Sequence, residues 1–203
     1  MPASALVPGI EFLPSASFRT WTVERATRLD EIEAAHAAVG GGRRGRRWAT
    51  EQVNHAYVVL LCSQFQGYCR DLHSECVDFV VRTVVAAPMR ATVHAEFSRA
   101  RRLDRGNPTS DAIGADFNRL GLEFWKTVGA IDVRNAGRRG RIDELVEWRN
   151  AIAHQDFSSR KLAPAKLDLT AVRAWRRSCA ALAETFDRVL ARYLRAALNA
   201  PPW

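Results

Sequence analysis

The chain has 203 residues and a mass of 22.7 kDa, with 47% apolar and 26% charged residues. This composition excludes disordered and fibrous classes, and the length suits one domain with or without an extension. Thirty basic residues against 22 acidic ones leave a net charge of +8 and a pI near 10.0. Lys occurs only at Lys126, Lys161 and Lys166, so Arg supplies the remaining 27 basic residues. That excess suits a polyanionic partner, because the planar Arg fork matches phosphate. A codon bias towards Arg produces the same arithmetic, and charge alone does not separate the two.

In chain order, the first fourteen residues carry prolines and Glu11 and lack the basic start of a secretory signal. Val23 to Val39 is Ala-rich and charged, a helix stopped by Gly40-Gly41-Gly42. The basic run Arg43-Arg44-Gly45-Arg46-Arg47 then reads as a loop. Residues 1–48 are accordingly expected to form an N-terminal extension, a helix with a Gly/Arg linker, ahead of a helical domain over 49–203.

Thr50 is an expected N-cap for a long helix to about Val85. Tyr57, Leu61, Phe65, Tyr68, Leu72, Cys76 and Phe79 recur at three and four residues and form its apolar stripe. Gln52 to Cys69 holds eighteen residues without a charge, near membrane-spanning length. Its load of Gln, Asn, His and Ser points instead to a buried helix and no membrane contact. Cys62, Cys69 and Cys76 lie two helical turns apart, about 10 Å, too far to bridge one another or share a metal. No Cys-x-x-Cys pair exists, so the four thiols read as core residues of a reduced, cytoplasmic chain.

Further helices are expected from Met89 to Leu103, from Thr109 or Ser110 to about Val128, from Arg141 to His154, and from Asp168 or Thr170 to before Pro201. The stretch Asp132 to Gly140, with Arg134, Arg138 and Arg139, reads as a loop, as does Phe157 to Lys166. Strand alternation is sparse. The expected fold class is all-α, a compact helical bundle of five or six helices.

Phosphate-cradling Gly loops, nucleophile elbows and His-Glu-x-x-His are all absent from the sequence. No two of the five histidines stand at i, i+4, so no metal or other cofactor is expected. His55 and His73, on the long helix, read singly as hydrogen-bonded structural residues. The informative segment is Glu144-Leu-Val-Glu-Trp-Arg-Asn-Ala-Ile-Ala-His154. Ile142, Leu145 and Ile152 mark its buried side, and Arg149 falls in line with them, so that cation needs a partner, an interface or a stem that snorkels outward. Asn150 and His154 stand one turn apart, where an amide can orient an imidazole. Arg149 and His154 point about 140° apart on a regular helix. A second copy of the helix across a two-fold axis would gather two Arg and two His.

Arg149-Asn150-x-x-x-His154, after Leu145-Val146 and with Ala-Ile-Ala between, resembles the Arg-x4–6-His signature of HEPN domains. The helix Ser63-Gln-Phe-Gln-Gly-Tyr-Cys-Arg-Asp-Leu72 is similar to the first long helix of RiboL-PSP-type members. The likeness spans roughly Thr50 to Leu198. It implies a helical bundle, often a homodimer with both motifs facing one cleft. Many members are metal-independent endoribonucleases serving as toxins or in phage defence; others are inactive modules for protein–protein interaction, which is the alternative for this chain. The resemblance assigns Arg149 and His154 as the catalytic pair, with Asn150 beside them. The chemistry suits an RNA phosphodiester, cleaved by its own 2′-hydroxyl to a 2′,3′-cyclic phosphate. His154 would move the proton and Arg149 would hold the charged phosphate. Arg43, Arg44, Arg46, Arg47, Arg138, Arg139 and Arg141 are expected contacts to the RNA backbone. An antitoxin or other protein partner is also implied.

Overall fold

In the computed structural model the described residues are 13–40, 47–160, 162 and 166–203. Among them every regular element is helical. Helix α1 (Ala16–Thr20) passes through a π-helical turn (Trp21–Arg25) into α2 (Ala26–Gly40) without a break. Helix α3 (Arg47–Val84) follows, then α4 (Arg90–Ser98), α5 (Ser110–Asn118), α6 (Phe124–Ile131), α7 (Asn135–His154) and α8 (Leu169–Leu198). With α1, the π turn and α2 counted as one rod, there are seven helices among the described residues, one more than the upper expectation.

The 38 residues of α3 make a rod about 57 Å long, against which most other helices pack. Its expected stripe, from Tyr57 to Phe79, is buried throughout. Trp175, Cys179, Leu182, Phe186 and Leu190 answer it from α8. Phe117 stacks on Phe124 at 4.6 Å between centroids, and Phe186 meets Phe124 edge-on at 4.8 Å. Such pairs add about 0.5–1.5 kcal/mol each beyond the area they bury. All four cysteines are buried and reduced, and burial pushes the Cys62 thiol up to about 12. No helix among the described residues is long and apolar enough to cross a membrane.

The N-terminal rod starts earlier than its sequence suggests. Ser15 caps it, and Glu75 of α3 accepts the amides of Ala16 and Ser17 at 2.9 and 3.0 Å. Trp21 and Leu29 enter the core, while Asp30 and Glu33 pair with Arg176 and Arg173 of α8.

Three other expected boundaries also move, the first two through tertiary contacts and the third through bonds between near neighbours. The helix expected over 89–103 ends at Ser98, because the Arg119 guanidinium takes the carbonyls of Glu96 and Arg99 and Ala100 turns left-handed at φ 59°. The helix expected over 110–128 breaks into α5 and α6. Gly121 sits there at φ 92°, and the Tyr193 hydroxyl donates to the carbonyl of Leu120 at 2.8 Å. The expected loop over 132–140 is helical from Asn135 onward. Asp132 accepts the Arg134 amide and the Arg138 guanidinium, and buried Asn135 donates to the carbonyl of Val128. These bonds start the helix despite Gly137 and Gly140, where an added Cβ would meet nothing within 4 Å.

Candidate functional site

Helix α7 is seated by its buried side, where Ile142, Leu145, Val146, Trp148 and Ala151 face α3 and α8. Its other flank holds the segment leading into α5. Asp143 accepts both the amide and the hydroxyl of Ser110, at 2.8 and 2.7 Å, while Thr109 caps the helix by accepting from Ala112. Gln66 of α3 donates to the carbonyls of Leu103 and Gly106 and ties down the turn between. That turn carries Asn107, whose amide donates to Asn150 Oδ1 at 2.6 Å. The same Oδ1 accepts from Arg149 Nη1 at 3.4 Å.

Asn150 is thus a junction between Arg149 and Asn107, not a support for His154 as the sequence suggested. Arg149 is half-buried, and its charge reaches the Cys62 thiol on α3. His154 is exposed as the last residue of α7, where Gln155 takes a left-handed cap at φ 53°. Just past it, the Ser158 hydroxyl and amide donate to Asp156 at 2.6 and 3.0 Å, and with nearby His154 they hold that carboxyl below its ordinary range. Within one chain, then, the motif forms a fixed Arg–Asn pair and a separate, open imidazole.

Of the basic residues assigned to the RNA backbone, Arg43, Arg44 and Arg46 lie outside the described residues, as does the side chain of Arg47. Arg138 is engaged by Asp132 and Asn135. Arg139 reaches Asp111 and lies over the Trp125 ring, 5.0 Å from its centroid. Arg141 is exposed. Arg102 and Arg105 were not singled out for this role from sequence. Both are exposed and line an open groove of about 510 Å³ together with Asn107. Their only sequence signal is the Arg-Gly-Asn-Pro turn, which nothing in the sequence ties to Asn150.

His73 on α3 differs from the expectation of a hydrogen-bonded histidine. Neither ring nitrogen of buried His73 forms a hydrogen bond, and the ring meets Phe117 edge-on at 5.6 Å. Burial, with Arg101 nearby, lowers its pKa to about 4, so it stays neutral. His55 stacks on Phe157. No cluster of His, Cys, Asp or Glu among the described residues has the arrangement of a metal site.

Residues 92–192 match the family model RiboL-PSP-HEPN, and the chain belongs to the HEPN superfamily. The matched stretch holds Arg149, Asn150, His154 and the Asn107 turn; the long helix α3 precedes it. No curated protein and no solved structure matches the chain.

Proposed function

We propose that the protein is a metal-independent endoribonuclease whose site is built on the end of α7. The observation that carries this reading is the Arg149–Asn150 pair and the exposed His154 on one helix within the matched stretch. RNA brings its own nucleophile, so the protein needs to move one proton and stabilise one extra charge. His154 takes the 2′-hydroxyl proton or gives one to the leaving 5′-oxygen, because an imidazole changes charge near neutral pH. Arg149 holds the non-bridging oxygens as the phosphorus becomes pentacoordinate. Its hydrogen bond to Asn150, itself fixed by Asn107, sets the direction of the guanidinium. Arg102 and Arg105 extend the positive surface along the adjoining groove. Because Arg149 and His154 diverge within one chain, the complete site takes its imidazole from a second copy across a two-fold axis.

The test is cleavage of labelled RNA in EDTA by the purified chain. The expected products end in a 2′,3′-cyclic phosphate and a 5′-hydroxyl. His154→Ala should lower the rate by about 10²–10⁴-fold with an unchanged circular dichroism spectrum. Equal cleavage by both proteins removes the site assignment. An intact wild-type fold with no cleavage leaves a non-catalytic interaction module as the reading.

A further inference from the structure

One flank of α7 grips the segment leading into α5 at two points. Asp143 takes the Ser110 amide and hydroxyl, and two turns further on Asn150 takes the side-chain amide of Asn107. Between these points Pro108 disfavours helical backbone at Asn107. The start of the turn before Asn107 is fixed separately. Buried Asp116 accepts the amides of Arg102 and Leu103, each at 2.9 Å, and Asp104 and Ser74 clasp the Arg101 guanidinium. One soft joint remains, the peptide joining Gly106, the most permissive residue of the turn, to Asn107. Gln66 Nε2 of α3 donates to the carbonyl of that peptide at 2.7 Å, and to the carbonyl of Leu103 at 2.6 Å. Among the described residues no other side chain bonds to this peptide.

Arg149 depends on this joint. Its guanidinium reaches Asn150 Oδ1 at 3.4 Å, and among the described residues no carboxylate pairs with it. The Asn150 amide has an oxygen on one edge and an NH2 on the other, about a soft final torsion. The Asn107 donor, 2.6 Å away, turns the oxygen to the side that Arg149 shares. Turned over, the same amide would set a donor against a guanidinium that has only donors. Gln66 therefore stands at the head of a relay that runs through the Gly106–Asn107 peptide and Asn150 to Arg149.

We propose that Gln66 is a positioning residue for Arg149, acting through the peptide before Asn107 and the amide of Asn150. This role rests on the nuclease reading of Arg149, whereas the relay is a property of the fold. Moving a guanidinium by about 1 Å costs up to ~10²-fold in rate. The donor carries the role, not the volume of the side chain. Glu has the shape of Gln but, ionised, offers only acceptors, while Lys keeps donors for both carbonyls.

Two measurements on the full chain test this: cleavage of labelled RNA, and the nitrogen-15 NMR signals of the Asn107 side-chain amide and of Arg149 Nε–H. Gln66→Leu and Gln66→Glu should each lower kcat by about tenfold with KM unchanged, and Gln66→Lys should recover most of the loss. Asn107→Ala should cost as much as Gln66→Leu. The double variant should cost no more than either alone, because both changes break one relay. Both NMR signals should shift in Gln66→Leu and return in Gln66→Lys. Full activity in Gln66→Leu, or losses that multiply in the double variant, overturns the proposal. So does a pair of signals that stays in place in Gln66→Leu, whether or not RNA is cut. A Gln66→Lys variant that recovers neither readout assigns Gln66 a structural role only and also overturns it. If the wild type cuts no RNA while the signals shift and return, the nuclease reading falls and the relay to Arg149 stands.

Discussion

Asp187 of α8 is buried, and its Oδ1 accepts the Ser15 amide at 3.2 Å. Burial raises this carboxyl from its ordinary 3.8 to about 6. The folded chain therefore holds the proton more tightly than the unfolded chain. The group favours folding below about pH 4, and that contribution is lost as the pH rises through 6. Asp187→Asn keeps an oxygen for Ser15 and removes the buried charge. It should raise stability at pH 8 by up to about 3 kcal/mol and leave it unchanged at pH 4. Guanidinium unfolding at the two pH values checks this, and an equal shift at both would refute it. At this scale the sequence was informative wherever a residue type conflicts with its surroundings. Arg149 among Leu145 and Ile152 announced a cation needing a partner, and the structure supplies Asn150. The residue that holds Asn150 is Asn107, 43 positions away, and no local pattern links the two.

Among the elements, the apolar stripe of α3 and the buried side of α8 were legible because every third or fourth residue had to face the same core. Helix ends were less legible, since partners from distant helices stop or start them. Gly121 is the clearest case. Its φ of 92° suits glycine, and a Cβ there would stand 2.8 Å from the Tyr193 hydroxyl. Gly121→Ala should destabilise the chain by about 1–3 kcal/mol in thermal unfolding. Adding Tyr193→Phe should recover part of that loss only if the hydroxyl contact contributes to it; a purely backbone cost would leave the double variant worse than either single one.

For the molecule as a whole, the proposed site is completed by a second copy. Cleavage per chain should fall on dilution once dimers dissociate, and the active species should elute at twice 22.7 kDa in light scattering. A specific rate that stays constant while the chain is monomeric would rule out a shared site. The net charge of +8 predicts that RNA affinity drops steeply with salt. Loss of affinity in Arg102→Gln and Arg105→Gln would assign part of that slope to the groove beside Asn107, since counterion release scales with the phosphates neutralised.

The order of apolar and polar residues alone decided that this chain is all-helical and placed Arg149, Asn150 and His154 on one helix, because helical periodicity and capping act over a few neighbouring residues. Packing between distant segments decided much of the rest: where α1, α4 and α5 begin or end, that Asn150 faces Asn107 rather than His154, and that His55, Trp148 and Phe157 meet around Asn54. Most of those contacts join residues tens of positions apart, and their geometry exists only once the helices have docked.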